Sequence, residues 1–187
     1  MNSDIENSLI ALKKGQTILY PTDTVWGIGC DATNVDAVNR IFEIKKRNES
    51  KSLVILVDSL EMLHQIIPNI PIQALEWIKI SPKPTTVIYH NPVGLASNVI
   101  AVDNTVGIRI VQDEFCKELI RSFGKPIVST SANISGEPTP AFFKEISNEI
   151  KKAVDYIVKW RQDETKQAES SSIVKIEANG EIVFIRK

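Results

Sequence analysis

The sequence predicts an α/β fold: one twisted, mixed β-sheet with helices on its faces, in a single domain over residues 1–187. Three observations carry that expectation. Short apolar runs such as LVILV (53–57), TTVIY (85–89) and PIVST (126–130) have the length and β-branched content of buried strands. Between them lie segments whose apolar residues recur every three or four positions, as in Val35, Val38, Ile41 and Phe42, the period of a helix packed on a sheet. Some strands are joined by helices and others by short hairpin-like links, so parallel and antiparallel neighbours should share one sheet.

Taken in order, Ile5, Leu9 and Leu12 mark a first helix closing at Gly15. The strands QTILY and VWGIG follow on either side of PTDT. Thr33 or Asn34 caps the next helix, which runs into the cationic KKRNESK. After LVILV, Ser59 caps a helix through Ile67, and Pro71 opens another through Ile80. TTVIY and VGIRIV are strands, and DEFCKELIRSF is a helix stopped by Gly124. PIVST is a strand, FFKEISNEI is the centre of one helix and VDYIV is a further strand. The polar segment RQDETKQAESS is long enough to be a functional loop. SIVKIEANGEIVFIRK closes the chain as a hairpin, whose Asn179-Gly180 suits a two-residue turn.

Composition narrows the function. Of the 187 residues, 43% are apolar and 24% charged, the balance of a soluble globular protein. No apolar run reaches the roughly 20 residues of a membrane span, and the polar, acidic start is unlike a signal peptide, so the expected location is cytoplasmic, with no membrane partner. Cys30 and Cys116 form no CxxC pair and read as buried thiols. His64 and His90 are the two histidines, which leaves little for histidine general-base chemistry or a histidine metal cluster. The net charge of -1 excludes a globally basic nucleic-acid binder but allows a local cationic patch.

GIGCDA (27–32) matches a dinucleotide fingerprint in letters, yet the next helix cap comes at Thr33 or Asn34, too late for a pyrophosphate to meet a helix N-terminus within the glycines. Lys45, Lys46, Arg47 and Lys51 suit a solvated helix C-terminus or an anion site. Thr22, Asp23 and Thr24 are either turn residues or ligand contacts. Arg109, in mid-strand, requires a carboxylate partner or an anionic ligand. Ser129, Thr130, Ser131 and Asn133 follow a buried strand. A serine nucleophile there lacks both a G-x-S-x-G elbow and a histidine. Hydroxyls, amides and cations without acid–base side chains suit phosphoryl or nucleotidyl transfer, where positioning and charge neutralisation dominate.

YPTDTVWGIGCDA, IFEIKKR, SPKPTT, VGIRI and STSANISG stand in the order and approximate spacing of the YrdC/Sua5 family, which this chain resembles strongly over about residues 15–140. The resemblance implies a YrdC-like fold with a concave, positively charged cavity. It also implies an enzyme that condenses L-threonine, bicarbonate or CO2, and ATP to L-threonylcarbamoyladenylate and pyrophosphate, with Mg²⁺ brought by the ATP. The adenylate would feed a tRNA threonylcarbamoyltransferase that modifies adenosine 37 of tRNAs reading codons that begin with A.

Carried over by motif, the resemblance places Lys45, Arg47, Ser131 and Asn133 around the nucleotide phosphates as catalytic residues. Thr105, Thr139, Ser171 and Arg186 are further ATP contacts, and Thr22, Arg109 and Ser129 bind threonine, the Arg through its carboxylate. The sequence departs from the family pattern in three places: Asn48 and Ser52 stand for prolines, Ser81-Pro82-Lys83-Pro84-Thr85-Thr86 replaces W-P-G-P-x-T, and IRK replaces L-R-P-G. The rival reading is a non-catalytic module contacting tRNA or double-stranded RNA, against which stand the near-neutral charge and the lack of an aromatic stacking stripe.

Overall fold

The structure is a computed structural model that describes residues 1–47, 53–165, 169–177 and 180–186. Among the described residues, nine strands form one mixed sheet: β1 (Ile18–Tyr20), β2 (Gly27–Gly29), β3 (Val54–Val57), β4 (Thr85–His90), β5 (Thr105–Ile110), β6 (Ile127–Ser131), β7 (Tyr156–Ile157), β8 (Ser172–Ile176) and β9 (Ile182–Arg186). Their order across the sheet is β7-β1-β2-β6-β3-β5-β4-β8-β9. Parallel pairing joins β1 to β7, β3 to β5 and β4 to β8, and the remaining neighbours are antiparallel. Both kinds of link expected from the sequence are therefore present.

Six α-helices of the described residues accompany the sheet: α1 (Asn2–Lys13), α2 (Val35–Ile44), α3 (Leu60–Ile66), α4 (Ile72–Ile80), α5 (Glu114–Phe123) and α6 (Asn148–Ala153). Their ends follow local chemistry. The Asn34 side chain accepts the backbone N–H groups of Asp36 and Ala37, satisfying two donors that the first turn of α2 leaves open. Ser59 and Asp113 cap α3 and α5 in the same way, and Gly124 ends α5 in the left-handed conformation. The inward faces of α2 and α5 supply Val38, Ile41, Phe115 and Leu119 to a core that also contains Ile18, Leu19, Ile28, Ile55, Leu56 and Val128.

The segment FFKEISNEI is two helices rather than one. A 3₁₀ turn at Phe143–Glu145 stops where Ile146 becomes extended, and Ser147 then caps α6 by accepting the Ile150 N–H. The buried Ile146 side chain shows why the break is tolerated, since extending there turns an apolar residue into the core. The closing hairpin is β8–β9, with a register shift between Ile173 and Val174. Asn179 of its expected turn lies outside the described residues, as do Asn48 and Ser52.

The glycines of GIGCDA serve strand packing. A Cβ on Gly29 would stand 2.6 Å from the Val128 carbonyl oxygen and 2.7 Å from the Tyr20 ring, and one on Gly27 would stand 2.9 Å from Ser129 Oγ. Their absent side chains allow β2 to lie close against β6. Cys30 and Cys116 are buried free thiols whose proton affinity burial raises. His64 and His90 are exposed. Among the described residues, no helix is long and apolar enough to cross a membrane.

Candidate active site

Adjacent strands bring distant chain segments to one cleft of about 200 Å³ on the sheet. The turn before β2 contributes Thr24 to Gly27, and β6 contributes Ser129 to Ser131 opposite it, with Gly27 paired to Ser131. Val54 of β3 lies in register between Ser129 and Gly107, and Arg109 projects from β5 two residues further along. Ser170, Ser171 and Ile173 lead into β8, and Arg186 of β9 stands opposite Ile173. Arg47, just beyond α2, and Thr139 complete the polar wall.

Three guanidiniums thus face one space with hydroxyls around them. Burial lowers the proton affinity of Arg47, and burial followed by the positive charge of Arg109 lowers that of Arg186. Cations crowded in this way favour an anion between them. Among the described residues the lining contains no carboxylate and no histidine, and no three His, Cys, Asp or Glu side chains cluster so as to hold a metal.

Of the two readings of Arg109 in mid-strand, the structure shows the carboxylate partner. Its Nη2 lies 3.0 Å from Asp23 Oδ1, with the side chains only 5% and 7% exposed, and also donates to Thr24 Oγ1 at 3.3 Å. Its Nε is buried with no hydrogen-bond partner. Asp23 Oδ2 accepts the Gln112 backbone N–H at 3.1 Å, which ties the PTDT turn to the end of β5. The turn is braced from the other side by Arg161, whose Nη1 donates to Asp113 Oδ2 at 2.7 Å and to the Thr22 carbonyl at 3.4 Å.

The remaining expected residues divide between the cleft wall and its supports. Ser129, Ser131, Thr139, Ser171, Arg47 and Arg186 line the cleft with Arg109. Ser171 Oγ shares a hydrogen bond with Thr86 Oγ1 at 2.9 Å, and Arg186 donates to the Ser171 carbonyl at 2.9 Å and to its Oγ at 3.3 Å. Thr22 stands behind the wall: its buried hydroxyl donates to the Val25 carbonyl, accepts the Thr24 N–H and contacts Thr24 Oγ1, so that Thr24 presents the hydroxyl instead.

Lys45 is also behind the wall. Its buried ammonium donates to the carbonyls of Ser131 and Asn133, fastening the loop after β6, and burial together with the Arg47 charge lowers its pKa to about 8. Asn133 donates to the carbonyls of Ile134 and Glu137 and leaves its Oδ1 buried without a partner. Thr105 is not brought to the cleft. It sits four residues from Arg109 on β5, about 13 Å along the strand, where its hydroxyl donates to Asp103. Sequence reasoning placed Asp23 and Thr24 in the PTDT segment as turn residues or ligand contacts without assigning either a role. The demand of Arg109 for a carboxylate was the signal that could have paired it with Asp23.

The family model Sua5/YciO/YrdC, described as "Telomere recombination", matches residues 10–187. Threonylcarbamoyl-AMP synthase of Hahella chejuensis is 34% identical over 154 residues, 81% of this chain and 83% of that protein. The protein of the same name from Aliivibrio fischeri is 36% identical over 132 residues, 67% of this chain and 70% of its own length. Sua5 of P. abyssi, solved in complex with L-threonine, superposes with a TM-score of 0.84 at 26% identity, covering 97% of this chain and 53% of that one. E. coli YciO shares the fold with a TM-score of 0.86 at 20% identity, over 100% of this chain and 90% of its own. The chain spans most of the curated relatives and about half of the Sua5 protein. With its motifs in order along one sheet and a family model covering nearly all of its length, this chain belongs to the Sua5/YciO/YrdC family.

Proposed function

We propose that the chain is a threonylcarbamoyl-AMP synthase, which joins L-threonine, bicarbonate or CO2, and ATP into L-threonylcarbamoyladenylate with release of pyrophosphate. The observation that carries this reading is the composition of the cleft: three guanidiniums and several hydroxyls around one space, without an acid–base side chain among the described residues of the wall. Such a site binds and neutralises anions but supplies no proton acceptor.

The chemistry accommodates that lack. The threonine amine adds to CO2 and loses a proton to solvent, giving a carbamate that is already an anionic nucleophile. A carbamate oxygen attacks the α-phosphorus of ATP, the bond to the β-phosphate oxygen breaks, and pyrophosphate leaves with the electron pair. Arg109 holds the threonine carboxylate through its donors, assisted by the hydroxyls of Thr24 and Ser129. Arg47 and Arg186 neutralise the triphosphate, while Ser131, Thr139 and Ser171 hydrogen-bond to the nucleotide. Lys45, Asn133 and Thr22 keep the walls in place. Magnesium arrives as part of the substrate, Mg·ATP; among the described residues the wall carries no carboxylate. The adenylate passes to a tRNA threonylcarbamoyltransferase for modification of adenosine 37.

Pyrophosphate release, measured with L-threonine and bicarbonate each omitted in turn, tests the reading. Release that needs both supports it. No release, with RNA binding that weakens steeply as salt rises, would replace it by the RNA-binding module.

A further inference from the structure

We infer that Asp23 sets the register of the two anionic substrates: by standing against Arg109 it closes that guanidinium to phosphate and reserves it for a carboxylate. This rests on the proposed function for the identity of the two anions.

A cleft lined by three guanidiniums poses a problem of register, because a triphosphate could pair with any two of them. Arg109 differs from Arg186 in its surroundings. Its ion pair with Asp23, 3.0 Å long and almost wholly buried, brings the local charge near zero where screening by water is weak. A phosphate drawn to Arg109 would carry two negative charges towards the Asp23 carboxylate. A threonine carboxylate would bring one. Among the described residues, the hydrogen bonds of Arg186 go to neutral oxygens of Ser171, so its charge faces the cleft without a carboxylate partner.

The pair also leaves donors available. Asp23 Oδ1 is close to Arg109 Nη2 but takes no well-aligned hydrogen bond, its Oδ2 is occupied by the Gln112 N–H, and Arg109 Nε is buried and unpartnered. Asp23 therefore offsets charge while the guanidinium keeps hydrogen-bonding capacity for a planar carboxylate. Asp23 is a positioning and specificity residue rather than a catalytic one.

The test is calorimetric titration with inorganic phosphate and with L-threonine, with thermal unfolding as a check on each variant. Relative to the unmodified chain, phosphate affinity should fall at least tenfold with Arg186→Gln and stay within twofold in the double variant Asp23→Asn/Arg109→Gln, where removing both charges of the pair leaves the local charge near zero. In Asp23→Asn, which keeps an oxygen for the Gln112 N–H, phosphate should displace L-threonine about tenfold more effectively than in the unmodified chain. Equal displacement in both proteins overturns the inference. So does phosphate binding that Asp23→Asn/Arg109→Gln weakens more than twofold or Arg186→Gln leaves intact, and this arm decides even if Asp23→Asn alone fails to fold. Failure of the unmodified chain to bind L-threonine would instead overturn the functional reading, while the phosphate arm, which uses no threonine, still decides the role of Asp23.

Discussion

The Lys45 ammonium lies 2.6 Å from the carbonyl oxygen of Asn133, and a second bond from the same nitrogen reaches the carbonyl of Ser131. A cation at the end of α2 thereby holds the loop that carries the hydroxyls of β6. Lys45→Met keeps most of the volume but leaves two carbonyls without their donor. It should cost about 2–3 kcal/mol of stability and reduce turnover more than L-threonine affinity. Urea unfolding and steady-state kinetics check both, and unchanged stability would remove Lys45 from this supporting role.

The same residue predicts a pH dependence. Burial, then the Arg47 charge, brings the Lys45 pKa from 10.5 to about 8. Below pH 8 the folded and unfolded chains both hold the proton. Above it the unfolded chain retains a proton that the folded chain has released, so stability should rise with pH, by at most about 1.4 kcal/mol per pH unit. The buried thiols and the Tyr20 and Tyr89 phenols, all pushed up by burial, act oppositely. Unfolding frees them to ionise, which lowers stability above about pH 9. The expected result is a rise confined to pH 8–9, seen in the unmodified chain and absent in Lys45→Met.

Gly29→Ala should be far more damaging than Gly27→Ala. The new methyl at 29 meets a backbone carbonyl and an aromatic ring, neither of which can give way without moving β6 or Tyr20. At 27 the tightest contact is a serine hydroxyl, which can rotate. A loss of about 3 kcal/mol at 29 is expected from overpacking, against less than about 1 kcal/mol at 27. Thermal melts of the two variants would show it.

Lys46 turns left-handed, with φ 48, between two residues that face inward. Its exposed ion pair with Glu149 contributes little, whereas a left-handed non-glycine residue costs about 1 kcal/mol. Lys46→Gly should therefore be neutral or stabilising, and a clear loss in urea unfolding would mean that the Glu149 contact outweighs the backbone strain.

Much of this fold was legible because burial leaves a periodic mark. Each strand core and helix face in LVILV, TTVIY, PIVST and DEFCKELIRSF follows from which positions are apolar. The misread segment, FFKEISNEI, failed because a buried isoleucine in extended backbone continues the same apolar pattern that a helix would give. At the site, the demand of Arg109 for a counter-charge was readable from one apolar strand. Which hydroxyl of PTDT faces the cleft was not, since a turn has no period, and the inward burial of Lys45 runs against what its charge alone would suggest. Thr105 shows the limit of short spacing: four residues on a helix share a face, but on a strand they are far apart.

The partnership of β1 with β7 links Ile18 to Tyr156, and β2 meets β6 across a hundred residues. Pairings of such long sequence separation make for slow folding, because loop closure must precede any gain from contact. The anion-binding walls are drawn from the same far-flung segments, so no stretch of nascent chain short of the whole sheet can present them. ATP bound by the finished cleft would accordingly favour complete molecules over partly folded ones, and nucleotide should raise the cooperativity of unfolding as well as its midpoint.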